Sequence, residues 1–339
     1  MSDSIPRQRL YSQLLAGNAL DTPHNVVSHF GAVQAQDYLG ALWAIGLRTC
    51  SPSEADVERA VAERRIVRCW PMRGTLHFVA AEDVRWMLEL LAPRVLPRRV
   101  RLERHWGLDR AVLARGRKAV ERELRDGRAL TRAELYAVLD KARVTTAGGR
   151  GLHAVFALAQ ERVICFGRRS GKQPTFVLFD EWLPPSSPKT REEALAELAR
   201  RYFTSHGPAG VADFVWWSGL TVRDAKEAVA LANVEEPERL PVPKRSVHLL
   251  PPFDEYTVAY KDRSAILDPA FTKRLNAGGG MLNAVLVIDG RVGGTWKRTI
   301  RGEEVTVDVS PFRPLTAGQS RDVKREIARY THFLSMRAQ

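Results

Sequence analysis

A chain of 339 residues, 45% hydrophobic and 27% charged, is long enough for two or three globular domains with a sizeable core. No apolar run approaches the ~20 residues of a membrane span. The N-terminus, MSDSIPRQRL, has neither an apolar signal core nor a lipidation motif, so a cytoplasmic, nucleoid-associated protein without membrane contact is expected. The excess of 52 Lys+Arg over 39 Asp+Glu, a net charge of +13, points to a polyanionic partner, nucleic acid before membrane.

The first informative stretch is Ala32 to Arg48, AVQAQDYLGALWAIGLR. Gln34 and Gln36 stand two apart between apolar residues. Side chains at i and i+2 share a side in an extended chain but diverge by ~200° on a helix, so the pair can converge on one target only from a strand or loop. Two solvated amides near a helix start are the plain alternative. Capping boxes then announce helices at Ser51–Glu54, Thr131–Glu134, Thr190–Glu193 and Thr221–Asp224, each opening an apolar-periodic run.

Strand, basic turn and strand follow the first helix, at Ile66 to Trp70, Pro71 to Gly74 and Thr75 to Val79. The unit recurs after the helix Leu152 to Gln160, at Val163 to Phe166, Gly167 to Lys172 and Thr175 to Phe179. Helices closed by a hairpin with a basic tip predict two winged-helix units, at 1–105 and 106–185. Between the hairpins, Arg94, Arg98, Arg99, Arg101 and Arg104 cluster. Arg94, Arg98 and Arg101 would line one helix face, with Pro97 as a point of bending, and suit a surface that tracks phosphates.

Pro184 to Pro188 marks a linker near 186. Beyond it, Arg191 to Ser205, Ala209 to Trp217 and the helix after Thr221 predict a helix-turn-helix unit at 189–240, its last helix carrying Arg223 and Lys226. A β-rich module at 245–339 follows, with strands at Val247 to Leu250, Met281 to Ile288, Arg291 to Arg298 and Glu304 to Val309. Asp289-Gly290 is a favoured two-residue hairpin turn, and a final helix from about Arg321 to Leu334 should seal the core. The expected class is α+β.

Several patterns carry no chemistry. Gly167 to Lys172 has three residues between its glycines and Gln173 after the lysine, so it is not a phosphate-binding loop. His24 and His29 lack metal spacing, and neither a metal nor another cofactor is implied. Cys50, Cys69 and Cys165 read as reduced core thiols. Adjacent Asp254 and Glu255 in a strand would point to opposite faces and read as structural. Trp216 and Trp217 read as core.

Taken together, the motifs resemble those of the winged-helix DNA glycosylases of the AlkZ/YcaQ superfamily. The resemblance rests on Gln34-Ala35-Gln36, Met72 to Val79, Gly207-Pro208-Ala209 through Trp216 to Leu220, Leu250 to Tyr256 with Tyr260 to Ser264, and Gly294 to Arg298. It covers most of the chain and implies tandem winged helices and a β-rich module around a C-shaped cleft. It further implies that the Gln-x-Gln branch, to which Gln36 assigns this chain, unhooks bulky alkylated purines and interstrand crosslinks, whereas the other branch has Gln-x-Asp. Asp37 leaves a carboxylate beside the pair.

The chemistry is consistent with amides. Ordinary glycosidases use two carboxylates, but an N7- or N3-alkylated purine is already a cationic leaving group and needs no general acid. Gln34 and Gln36 could hold one water between an acceptor oxygen and a donor nitrogen. The implied partner is double-stranded DNA carrying alkylated purines, met by a monomer without a protein partner. The implied role is DNA repair, with self-resistance against a DNA-alkylating natural product as an extension.

Candidate DNA contacts are Arg73 at the first wing tip, Arg94, Arg98 and Arg101, Arg168, Arg169 and Lys172 at the second wing, and Lys261 and Arg263 with Asp262 as their internal partner. Lys297 and Arg298 join them, on the hairpin around Asp289-Gly290 that would enter a groove. His77 is included beside its plainer reading as a partly buried imidazole. The alternative function is a non-catalytic winged-helix DNA-binding regulator or architectural factor.

Overall fold

The structure, a computed structural model, describes residues 4–17, 19–234 and 245–338. The end of the expected third unit, up to 240, lies outside the described residues. The chain runs α1 (Ser4–Ser12), α2 (Pro23–Phe30), β1 (Val33–Gln34), α3 (Tyr38–Gly46), α4 (Glu54–Ala62), β2 (Ile66–Met72), β3 (Thr75–Ala80) and α5 (Val84–His105). It continues α6 (Arg110–Leu124), β4 (Leu130–Thr131), α7 (Arg132–Lys141), α8 (Arg150–Gln160), β5 (Ile164–Phe166), β6 (Thr175–Leu178) and α9 (Phe179–Trp182). Then come α10 (Arg191–His206), α11 (Val211–Ser218), α12 (Val222–Ala232), β7 (Val247–Leu250), α13 (Glu255–Val258), β8 (Asn276–Gly278) and β9 (Met281–Leu282). The chain closes with β10 (Ala284–Ile288), β11 (Arg291–Arg301), β12 (Glu304–Pro311), α14 (Ala317–Phe333) and β13 (Arg337–Ala338). By packing it separates into two compact units, Met1–Glu58 with Leu195–Gln339, and Arg59–Ala194.

The unit Arg59–Ala194 contains a winged helix in the order α6, β4, α7, α8, β5, β6, with β4, β6 and β5 in one antiparallel sheet. Asp109 caps α6 by accepting from the Val112 N–H at 2.8 Å, and Thr131 and Glu134 form the expected reciprocal box on α7. Leu113, Val120, Leu135, Leu139, Leu158, Phe166 and Phe176 fill the core between the helices and the sheet. The earlier hairpin β2–β3 turns on Arg73-Gly74, both at positive φ (55° and 73°), the conformation that matches strand twist.

α5 runs as one helix through Pro93 and Pro97. Both prolines and Glu89 are exposed, so water can take the carbonyls left without donors. Arg94, Arg98 and Arg101 are exposed along it, whereas Arg99 is held by Glu103 at 2.7 Å and Glu161 at 2.9 Å.

The other unit is built on a five-stranded sheet in the order β13-β12-β11-β10-β7. The Asp289-Gly290 turn forms between β10 and β11 at φ 50° and 83°. It does not project. A Cβ on Gly290 would lie 2.7 Å from Pro6, and the Tyr256 hydroxyl sits 2.6 Å from the Gly290 carbonyl and 2.9 Å from that of Pro6. The hairpin that ends in open space is the next one, β11–β12, whose turn residues Gly302 and Glu303 are exposed. The exposed end of β11 is thus the one opposite the Asp289-Gly290 turn.

α14 starts earlier than the apolar period indicated, because Thr316 and Gln319 form a capping box. Its Tyr330 and Phe333 rings pack on Trp43 with centroids 4.9 and 5.0 Å away, so the helix does seal the core. The first expected cap is displaced: α4 begins after Ser53, whose Oγ accepts from the Asp56 N–H at 3.2 Å, not after Ser51. Cys69 and Cys165 are buried but Cys50 is exposed, and Trp217 is buried while Trp216 is 48% exposed, its indole N–H held by the Val258 carbonyl.

Glu326 on α14 provides a pH handle. It is buried with Oε2 unpaired, Arg329 being 3.9 Å off, and burial pushes its carboxyl up to about 7 despite Arg329 and Arg325. The folded protein thus binds this proton more tightly than the unfolded chain, and stability falls as pH rises from the ordinary carboxyl range through about 7. Glu326→Gln should raise Tm at pH 8.5 and leave it nearly unchanged at pH 4.5, as thermal melts at the two pH values would show.

Candidate functional site

α2 is capped by Thr22 and ends at Gly31, whose φ of 74° turns the chain out of the helix. The next residues are not helical: Val33–Gln34 is β1, Gln36 lies in a bend, and Asp37, at φ −93° and ψ 109°, precedes α3 in extended conformation. Ala35 is fully buried and anchors the segment between the two amides. Gln34 is 8% exposed and Gln36 is exposed. Of the pair, Gln34 is therefore buried and Gln36 exposed.

The segment's backbone is held from behind. The Gln34 N–H donates to Glu255 Oε1 at 2.7 Å, across 221 positions of sequence. Glu255 Oε2 accepts from the Trp217 indole N–H at 2.9 Å and lies 3.3 Å from His206 Nε2. His206 stacks on Tyr202 with centroids 4.6 Å apart, and its Nδ1 is 2.8 Å from Ser205 Oγ. All these groups are buried.

A second buried layer adjoins the first. Arg48 makes two bonds to the Asp254 carboxylate, at 2.8 and 2.9 Å, and donates to the carbonyls of Gln13 and Ala44. Asp254 and Glu255 are structural, as expected, but for another reason than strand alternation. They open the short helix α13, where Asp254 accepts from the Tyr256 N–H. Trp43 and Trp296 donate their indole N–H groups to the carbonyls of Leu249 and Leu250, fixing β7 beside them.

Asp37 does not reach the α3 backbone as a cap. Its carboxylate lies against Gly40, where a Cβ would come within 2.9 Å of it. Asp37 and Glu54 are close enough to Tyr330 for their charges to act on its hydroxyl. Burial pushes that phenol up and the adjacent Arg298 guanidinium opposes the shift.

The expected DNA contacts fall into three groups. Arg94, Arg98, Arg101, Arg168 and Lys172 in one unit, and Lys261 and Lys297 in the other, are exposed. Arg169, Arg263 and Arg73 are half-buried, and Arg169 donates to the Lys172 carbonyl. Arg298 is engaged with the Tyr330 hydroxyl, and Asp262, instead of pairing with its basic neighbours, accepts from the Ser264 N–H. His77 is fully buried, with Nδ1 3.0 Å from the Thr75 carbonyl and Nε2 3.4 Å from Arg73. A ring with no exposed surface cannot meet a duplex, so its role is to support the turn that carries Arg73.

Among the described residues no group of His, Cys, Asp and Glu could hold a metal, and no helix is long and apolar enough to cross a membrane. His29 faces the Ser12 carbonyl at 3.0 Å, and burial lowers its pKa. Sequence reading missed His206 and Trp217 as partners of Glu255, and Arg48 as the partner of Asp254. Its one usable signal was the dense run Leu250 to Tyr256, where polar residues interrupt an apolar strand end.

Residues 27–333 match the family described as AlkZ-like DNA glycosylases. An interstrand DNA cross-link repair glycosylase from Streptomyces sahachiroi is 28% identical, over 94% of this chain and 93% of that protein. The solved structure of the Streptomyces sahachiroi DNA glycosylase AlkZ aligns with a TM-score of 0.75 at 24% identity, covering 99% of this chain and 98% of that one. At that identity the alignment establishes a common fold.

Proposed function

This chain belongs to the AlkZ-like DNA glycosylase family, and from that premise we propose that it hydrolyses the N-glycosidic bond of cationic, bulky N-alkylpurines in duplex DNA, crosslinked purines among them. The observation that carries the reading is the non-helical segment, held at its backbone by Glu255, that carries a buried Gln34 and an exposed Gln36 two residues apart. Glu255 is bound to the Gln34 backbone and Asp37 lies against Gly40.

Two amides so placed orient a water between an oxygen that accepts and a nitrogen that donates. They stabilise the oxocarbenium-like sugar without supplying a proton, because the alkylated base leaves as a neutral molecule once its bond breaks. A crosslinked purine cannot make the ~180° swing that many glycosylases impose. An exposed Gln36 suits such a lesion, and the crosslink-repair relative supports that substrate class.

The test is incubation with duplex DNA carrying a single N7-alkylguanine, followed by hot alkali. Strand breaks at the adduct are expected, and none on any cationic adduct would reduce the protein to a DNA binder.

Binding should rest on the exposed basic residues. Exchanging Arg94, Arg98 and Arg101 together for Gln is expected to flatten the plot of log affinity against log salt by up to ~0.9 for each phosphate that is no longer neutralised. Titrations of fluorescent duplex at several salt concentrations would measure this. An unchanged slope would remove that face of α5 from the DNA surface.

A further inference from the structure

Three hydrogen-bonding groups from distant parts of one unit converge on Glu255. The Gln34 N–H reaches Oε1 at 2.7 Å, the Trp217 indole N–H reaches Oε2 at 2.9 Å, and His206 Nε2 stands 3.3 Å from Oε2. The carboxylate is 2% exposed, so it touches neither solvent nor a lesion. Its two oxygens accept from the Gln34 N–H on one side and from the Trp217 indole N–H on the other. A core could seat Trp217 and His206 in simpler ways. Here their common acceptor bonds the backbone of the first glutamine, two residues from the second.

We propose that Glu255 is a positioning residue for glycosidic-bond hydrolysis. Its carboxylate fixes the backbone of the Gln34-Ala35-Gln36 segment, and Trp217 and His206 fix the carboxylate. This rests on the reading of Gln34 and Gln36 as the water-orienting pair. The segment begins with a two-residue strand and passes through a bend before α3, so its own backbone ladder is short. Rotation about Gln34 would carry both amides away from a common point, and misplacement by ~1 Å costs on the order of 10²-fold in rate.

The decisive variant is Glu255→Gln, which keeps size and shape but turns an NH2 group toward one of the incoming donors. Its single-turnover excision rate on N7-alkylguanine duplex is expected to fall roughly 10²-fold, with DNA affinity unchanged. The Gln34 amide should also exchange its hydrogen faster than in the wild type. Tyr256→Phe serves as a control for simple core damage. It removes a buried hydroxyl, one residue along the chain from Glu255, that bonds the Pro6 and Gly290 carbonyls. It should lower Tm without lowering the excision rate.

If Glu255→Gln excises no more slowly than Tyr256→Phe, or leaves Gln34 exchange unchanged, the proposal is overturned. Gln34→Ala and Gln36→Ala are run alongside. If they retain wild-type rates while Glu255→Gln still speeds Gln34 exchange, the failure lies in the catalytic reading of the pair and not in the contact that Glu255 makes.

Discussion

Gln36→Ala is expected to lower single-turnover excision of an N7-alkylguanine about 10²- to 10³-fold, the loss of about 2.7–4 kcal/mol that follows removal of one preorganised polar group. Gln34→Ala should do the same. DNA affinity should stay within a few-fold, because the basic residues proposed to bind phosphate lie elsewhere in the sequence. Gln36 is exposed, and thermal melts of its variant separate a loss of stability from a loss of rate. Gln34 is nearly buried, so a modest drop in Tm can accompany its variant. The double variant should lose little more than either single one if the two amides hold one water, since residues acting as a unit are not additive. Rapid-quench kinetics with enzyme in excess would show this, and independent, multiplying losses would mean that the glutamines act at different points.

The largest effect on folding is expected from Arg48→Ala. The guanidinium is 2% exposed and its partner Asp254 has a fully buried carboxylate. Removing the cation leaves that charge in the interior opposite nothing, and abandons the carbonyls of Gln13 and Ala44 as well. Breaking a buried pair from one side costs about 3–5 kcal/mol. Denaturant melts should show that loss, while Arg48→Ala combined with Asp254→Ala should cost less than the two single changes summed, because the stranded charge is gone. Simple additivity would mean that the pair is not coupled.

Much of the architecture was legible from local chemistry. The reciprocal boxes at Thr131 and Thr190 and the Asp289-Gly290 turn appear where the residues placed them, since each is set by bonds within a few positions. The errors came where distant packing decides. Pro6 and Tyr256 cover the Asp289-Gly290 turn, which no local pattern could disclose. Burial of His77 is likewise a tertiary fact.

For the site, the i, i+2 spacing of Gln34 and Gln36 demanded the extended backbone that the structure has. The Glu255 layer behind it spans 221 positions and was legible only as an unexplained polar run after β7.

In the proposed reaction the lesion's own positive charge replaces a general acid. Its most direct test compares single-turnover excision from two otherwise identical duplexes, one carrying cationic N7-methylguanine and the other neutral hypoxanthine. The account predicts release of the cationic base alone, with the neutral base retained over the same period. Comparable rates on both would require a proton donor at the departing base and would contradict a site that works through Gln34 and Gln36.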